Sequence, residues 1–192
     1  MNITTFQKHA LKVTKSKQTK SRPTLQGIHY LNDGAVCTDS HRLYKINTPV
    51  PGLAGQTINP DTGETIDGNY PDTSRLFPDR FEKHDTWDLK PAIAFLKAVK
   101  SLKIGHVVYG QGVLYADSLD MNTSLQHTLD PSSDVERSAI STVYLLEALE
   151  LMATAGPTAE FLWNNRYAPV VLRDHAYSPI LETLILPIRL NK

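Results

Sequence analysis

Apolar residues at Ile3, Phe6, Ala10 and Val13 recur at spacings of three and four, which predicts an amphipathic helix over 3–17. Lys8, Lys12 and Lys15 fall at the same spacing on another face of it. Over 24–47 the pattern changes to short alternating runs, and Asn32-Asp33-Gly34 reads as a hairpin turn, so two or three antiparallel strands are expected. Residues 48–69 hold Pro49, Pro51, Gly52, Gly55, Pro60, Gly63 and Gly68 and few large apolar groups, the composition of a connector. Within it, Asn59 to Glu64 reads as a plain turn. Tyr70 to Pro78 is an extended, proline-bracketed segment.

A second helix is predicted from a cap at Asp85 or Asp88 to Lys103, with Ile93, Leu96, Val99 and Leu102 as its apolar face. Strands follow at 105–109, 113–116 and 124–129. Ser141 or Thr142 caps a third helix with a Leu145, Leu149, Met152 stripe, ended by Gly156-Pro157. The last third alternates again at 159–163, 170–173 and 182–190, and Pro187 should stop pairing in the final strand. Helix, strands, loop, helix, strands, helix, strands gives an α+β class: antiparallel sheets with helices packed on one face. The boundary is placed after the connector, at 1–69 and 70–192.

The bulk numbers change this picture little. The chain has 192 residues, 41% hydrophobic and 21% charged. No apolar run is long enough for a membrane span, the N-terminus lacks a signal-peptide core, and a lone cysteine fits a cytoplasmic protein. Charge is more informative. Net charge is zero, yet residues 1–50 carry eight Lys or Arg against two acids, and the excess of acids lies in the rest. Segregation of this kind points to one face for a polyanion; the competing reading is a solvated basic helix.

Cys37-Thr38-Asp39-Ser40-His41-Arg42 packs polar groups into a stretch that otherwise reads as strand. Such a run is either a functional surface or a buried network. Cys37 or Ser40 with His41 is too local for nucleophilic catalysis, and no strand–turn–helix elbow surrounds Ser40. The histidines are scattered, no Gly-rich phosphate loop is present, and Asp117 with Asp120 reads as a solvated strand end. No catalytic residues, cofactor or metal are expected.

Several segments nevertheless resemble the bacterial sliding clamp, the beta subunit of DNA polymerase III. Thr38-Asp39-Ser40-His41-Arg42-Leu43, after the strand ending Gly27-Ile28-His29-Tyr30, looks like that family's T-D-G-H-R-L signature. Tyr70-Pro71-Asp72 with Arg75-Leu76-Phe77-Pro78 looks like its connector between second and third domains. Thr142 to Leu149 is similar to the Y-L-L-D-A-L helix, and Leu186-Pro187-Ile188-Arg189-Leu190 to the terminal M-P-M-R-L. The resemblance reads as a truncated clamp-like protein: 1–69 a partial second domain, 70–192 a complete third.

The resemblance implies a non-catalytic replication protein, from a phage or mobile element, acting as a processivity factor or as an accessory that engages clamp-binding peptides. Its partners would be duplex DNA, linear peptide motifs of DNA polymerase or other replication proteins, and further copies of itself. Carried over by position, the peptide cleft would comprise Leu25, Thr38, Ser40, His41, Arg42 and Leu43 on one wall. Pro71, Arg75 and Leu76 would form its floor, and Leu184, Ile185, Leu186, Pro187, Ile188, Arg189 and Leu190 the other wall. Arg42, His41 and Arg75 would orient polar groups at the rim. Lys8, Lys12, Lys15, Lys17, Lys20, Arg22, Lys97 and Lys100 would meet DNA phosphates. A decoy for host replication partners that does not encircle DNA is the alternative. Ser40 stands where the family has Gly, at a cost if that position uses a positive φ.

Overall fold

The computed structural model describes residues 2–118, 122–129, 137–174 and 180–189. They form two compact units: Met1–Pro78 with Ala176–Leu184, and Asp79–His175 with Ile185–Lys192. The division falls after Pro78, beyond the boundary drawn after residue 69, and it returns a late strand to the first unit.

In the first unit, helix α1 spans Ile3–Thr14, capped by the Asn2 side chain, which accepts from the Thr5 N–H at 2.9 Å. Phe6, Ala10 and Val13 are buried against the sheet, as the spacing predicts. The helix stops short of the expected residue 17. The Thr19 hydroxyl donates to the carbonyls of Thr14 and Ser16, at 2.7 and 2.9 Å, and so satisfies acceptors that a further turn would have used.

Strands β1 (Ile28–Tyr30), β2 (Ala35–Thr38) and β3 (Arg42–Ile46) pair antiparallel, with Tyr30 opposite Ala35 and Cys37 opposite Tyr44. Gly34 is required in the β1–β2 turn: a Cβ there would lie 1.9 Å from the Ile46 carbonyl oxygen. Pro23–Gln26 is a short 3-10 turn instead of strand. The connector adds strand β4 (Thr57–Ile58) beside β1. Asn59 to Glu64 is a turn, closed by an Asn59 N–H to Glu64 carbonyl bond of 2.9 Å.

The second unit holds β5 (Lys83–Asp88), α2 (Leu89–Ser101), β6 (His106–Gly110), β7 (Val113–Ser118), β8 (Thr123–Thr128), β9 (Ser138–Ser141), α3 (Thr142–Met152), β10 (Thr158–Trp163) and β11 (Val170–Arg173). β12 (Leu181–Ile185) places Leu181 to Leu184 in the first unit, next to β3 in the order β4-β1-β2-β3-β12. In the second unit β11, β10 and β5 run side by side, and a separate sheet has the order β8-β7-β6-β9.

Neither β5 nor β9 is expected from the pattern. β5 hides because its inward positions are Asp85 and Trp87, so a buried carboxylate interrupts the apolar alternation. Asp85 is therefore not a helix cap; Asp88 is, accepting from the Lys90 N–H. Trp87 stacks on Phe161 at 4.0 Å between ring centroids, and Tyr109 donates its hydroxyl hydrogen to Asp85. Helix α2 buries Leu89, Ala92, Leu96 and Val99, while Ile93 and Leu102 are only half-buried. The final strand ends at Ile185, before Pro187, and the Ile188 N–H bonds the Ala139 carbonyl of β9 at 2.8 Å.

Candidate functional site

The polar run between β2 and β3 is a built network, and its centre is buried. Asp39 has no exposed surface. Its Oδ1 accepts from the backbone N–H groups of His41 and Arg42, both at 3.1 Å. Its Oδ2 pairs with Arg42 Nε at 3.1 Å. Arg42 then donates through Nη2 to the Lys12 carbonyl of α1 at 2.8 Å and through Nη1 to the Tyr44 hydroxyl at 3.4 Å. The Thr38 hydroxyl donates to the Arg42 carbonyl at 2.7 Å and accepts from the Ser40 N–H at 3.1 Å. Every bond here is local except the one to Lys12, which ties the helix to the hairpin.

One expectation for this run changes. Arg42 does not sit at a rim: its guanidinium is buried and spent inside the protein. Cys37 is fully buried, and burial pushes its thiol well above the usual range, so it stays protonated and is no nucleophile at neutral pH. What reaches solvent is the tip of the turn, Ser40 and His41. Ser40 has φ +73°, the left-handed region that Gly would enter freely, and its Oγ accepts from Arg22 Nη1 at 2.6 Å.

A residue outside the expected set completes this surface. The Tyr70 hydroxyl accepts from the Thr38 N–H at 3.0 Å, and its ring stacks on His29 at 4.9 Å and 6°. Burial raises the Tyr70 phenol and lowers the His29 imidazolium, so both rings are neutral at pH 7. The contact fixes the 70–77 segment over the sheet and frames a hollow of about 560 Å3 that includes His29, Lys45, Tyr70, Pro71 and Phe77. The only signal for it in the sequence was an aromatic directly before Pro71.

The other expected peptide-site residues divide by burial. Leu25, Leu43, Leu184 and Ile185 are core. Thr38 is buried in the network, while Pro71, Arg75 and Leu76 are exposed. In the second unit Leu186, Ile188 and Arg189 are exposed and Pro187 is half-buried; Leu190 lies outside the described residues.

The basic residues expected to meet DNA all reach solvent. Lys8 and Lys12 stand on α1 opposite its buried face, Lys15 caps its C-terminus, and Lys17, Lys20 and Arg22 follow it. Lys97 and Lys100 are exposed on α2. Some are already engaged: Lys15 Nζ lies 2.8 Å from Asp61, Lys97 Nζ 3.5 Å from Glu150, and Arg22 donates to Ser40. Asp117 accepts from the Ser124 hydroxyl at 2.7 Å, and Asp120 is outside the described residues. Among the described residues, no three His, Cys, Asp or Glu side chains gather as metal ligands. No described helix is long and apolar enough to cross a membrane.

Solved structures share this architecture along nearly the whole chain. The beta chain of DNA polymerase III from Streptococcus pneumoniae superposes with a TM-score of 0.79 at 19% identity, covering 97% of this chain and 63% of that one. The fold is that of the bacterial sliding clamp. A Caulobacter crescentus beta sliding clamp matches at TM-score 0.79 and 20% identity, covering 97% of this chain and 64% of that one. A Helicobacter pylori beta clamp bound to a DNA ligase peptide matches at TM-score 0.74 and 17% identity, covering 98% and 64%. The chain thus spans just under two thirds of the clamp chains it matches. No family model matches the sequence, and no curated protein is significantly similar to it. The α+β class and the resemblance to clamps agree with these findings.

Proposed function

We propose that this chain is a non-catalytic, clamp-fold accessory of DNA replication that binds duplex DNA and short linear peptides of polymerase or other replication partners. The observation that carries this reading is the clamp fold over almost the entire chain. The basic face of α1 supports the DNA part. Lys8 and Lys12 on α1, and Lys17 and Lys20 in the chain after it, reach solvent, and α1 itself carries no acid, which suits a face that meets phosphates. The exposed turn of Ser40 and His41, with Pro71, Arg75 and Leu76, supports the peptide part. A solved relative is bound to a DNA ligase peptide, which gives the kind of partner.

The decisive measurement is fluorescence anisotropy of duplex DNA with the intact chain across a salt series. The logarithm of the affinity should fall linearly with the logarithm of salt, with a slope near −0.9 for each phosphate neutralised. Exchanging Lys8 and Lys12 together for Glu should flatten that slope by about two or more and weaken binding at every sequence alike. Absence of binding at low salt, or binding indifferent to salt, would refute the DNA part and leave a peptide module. Deleting 186–192 tests the contribution of the chain's end to peptide binding.

A further inference from the structure

Four strands end a sheet, and three of them are closed or blunted. β4 has two residues, and the returning chain covers its outer side through an Ile58–Thr65 bridge. β9 is covered by the Ile188 N–H, which donates to the Ala139 carbonyl at 2.8 Å. β5 carries Lys83, Asp85 and Asp88, charges of the kind with which sheet edges resist pairing. Among the described residues, β8 has none of these devices. It runs over Thr123–Thr128, holds no Lys, Arg, Asp, Glu or Pro, and pairs on one side only, with β7.

The ladder defines which backbone groups face outward. The Leu129 N–H donates to the Gly112 carbonyl at 2.7 Å. Antiparallel alternation then turns the backbone of Leu125 and His127 toward β7 and that of Ser124, Gln126 and Thr128 away from it. These last three residues are exposed. Beside the edge lies an apolar strip. His127 stacks on Phe95 of α2 at 5.5 Å between ring centroids, and Leu125 points to the same face as His127. Pro91, Ala98 and Leu102 continue the Phe95 flank of the helix at spacings of three and four. Phe95, Leu102, Leu125 and His127 are only half-buried.

We propose that β8 docks on the β8 strand of a second copy of this chain, antiparallel about a two-fold axis, so that two sheets continue as one. One register uses all three outward residues on both sides: Gln126 faces Gln126 of the second copy, and Ser124 faces its Thr128. A two-fold axis sets the group at its centre against itself, which a charged residue would oppose and the neutral amide of Gln126 allows. The same axis brings the Phe95 flanks of the two copies together, so apolar area is buried beside the new hydrogen bonds. Asp117 accepts from the Ser124 hydroxyl at 2.7 Å and lies one strand back from the axis. A strand of a different protein finds on this edge no charge to select it, whereas self-pairing needs none. The assignment is independent of the function proposed above.

Light scattering on the full chain across a concentration series tests it. Twice the chain mass is expected at high concentration, falling to the monomer on dilution. Gln126→Lys and Gln126→Glu alter an exposed position, so the melting temperature of the dilute monomer should hold. Each should weaken the dimer by at least roughly tenfold, because like charges meet across the axis. Mixing the two variants should restore most of the affinity, because opposite charges then meet. A monomer at every concentration, a dimer indifferent to both substitutions, or a mixture as weak as its parts overturns the proposal. The assay contains neither DNA nor peptide, so its result is separate from that of the salt series.

Discussion

Replacing Arg42 with alanine removes a buried charge that joins α1 to the β2–β3 hairpin. The change leaves Asp39 fully buried with two backbone N–H donors and no counter-charge, and it strips the Lys12 carbonyl of its donor. Breaking a buried pair from one side costs about 3–5 kcal/mol, because the remaining charge stays desolvated. With an m-value of about 2 kcal/mol per molar urea, the unfolding midpoint should fall by roughly 2 M. Urea titration followed by far-UV circular dichroism measures it. The double variant Asp39→Asn with Arg42→Met removes both charges and keeps an acceptor for the His41 and Arg42 N–H groups. It should recover part of the loss, which a generic packing defect would not allow. A loss below about 1 kcal/mol in R42A, the range of exposed ion pairs, would refute the reasoning.

Ser40→Val should destabilise by about 1–2 kcal/mol, since a β-branched residue is forced to φ +73° and the acceptor for Arg22 is lost; a neutral result in the same urea assay would contradict the left-handed turn. Stability should also fall at alkaline pH. Burial, with the adjacent Asp85 carboxylate, raises the Tyr109 phenol, and burial raises Tyr70. Up to about pH 10 folded and unfolded states both keep these protons; above it the unfolded tyrosines ionise while the folded ones do not, so stability drops as pH rises. Tyrosinate absorbance should lag behind the exposed tyrosines until circular dichroism reports unfolding. Ionisation of every tyrosine within an intact fold would disprove it.

Much of the first unit was legible because its signals are local. The stripe of Phe6, Ala10 and Val13 and the Asn32-Asp33-Gly34 turn each state a period or a backbone demand within a few residues. The polar run at 37–45 was equally visible, and its ambiguity between surface and buried network was real. The run divides: Asp39 and Arg42 form a buried network, and Ser40 and His41 are its exposed tip. Arg42 was misplaced at a rim because sequence gives the residue type and not the direction of the side chain. Strands β5 and β9 were lost for a similar reason. Asp85 is tolerable inside only because Tyr109, in another strand, donates to it.

By itself the sequence determined the α+β alternation, the turn residues and the basic face of α1, and it narrowed two helix caps to Asp85 or Asp88 and to Ser141 or Thr142. These follow from periodicity, backbone chemistry and charge, which act over one or two turns of chain. Only the tertiary structure decided which polar groups are buried and that β12 returns to stand beside β3. Each of these depends on a partner distant in sequence. Burial and pairing energies are properties of contacts, and a pattern along one segment does not contain the other half of the contact.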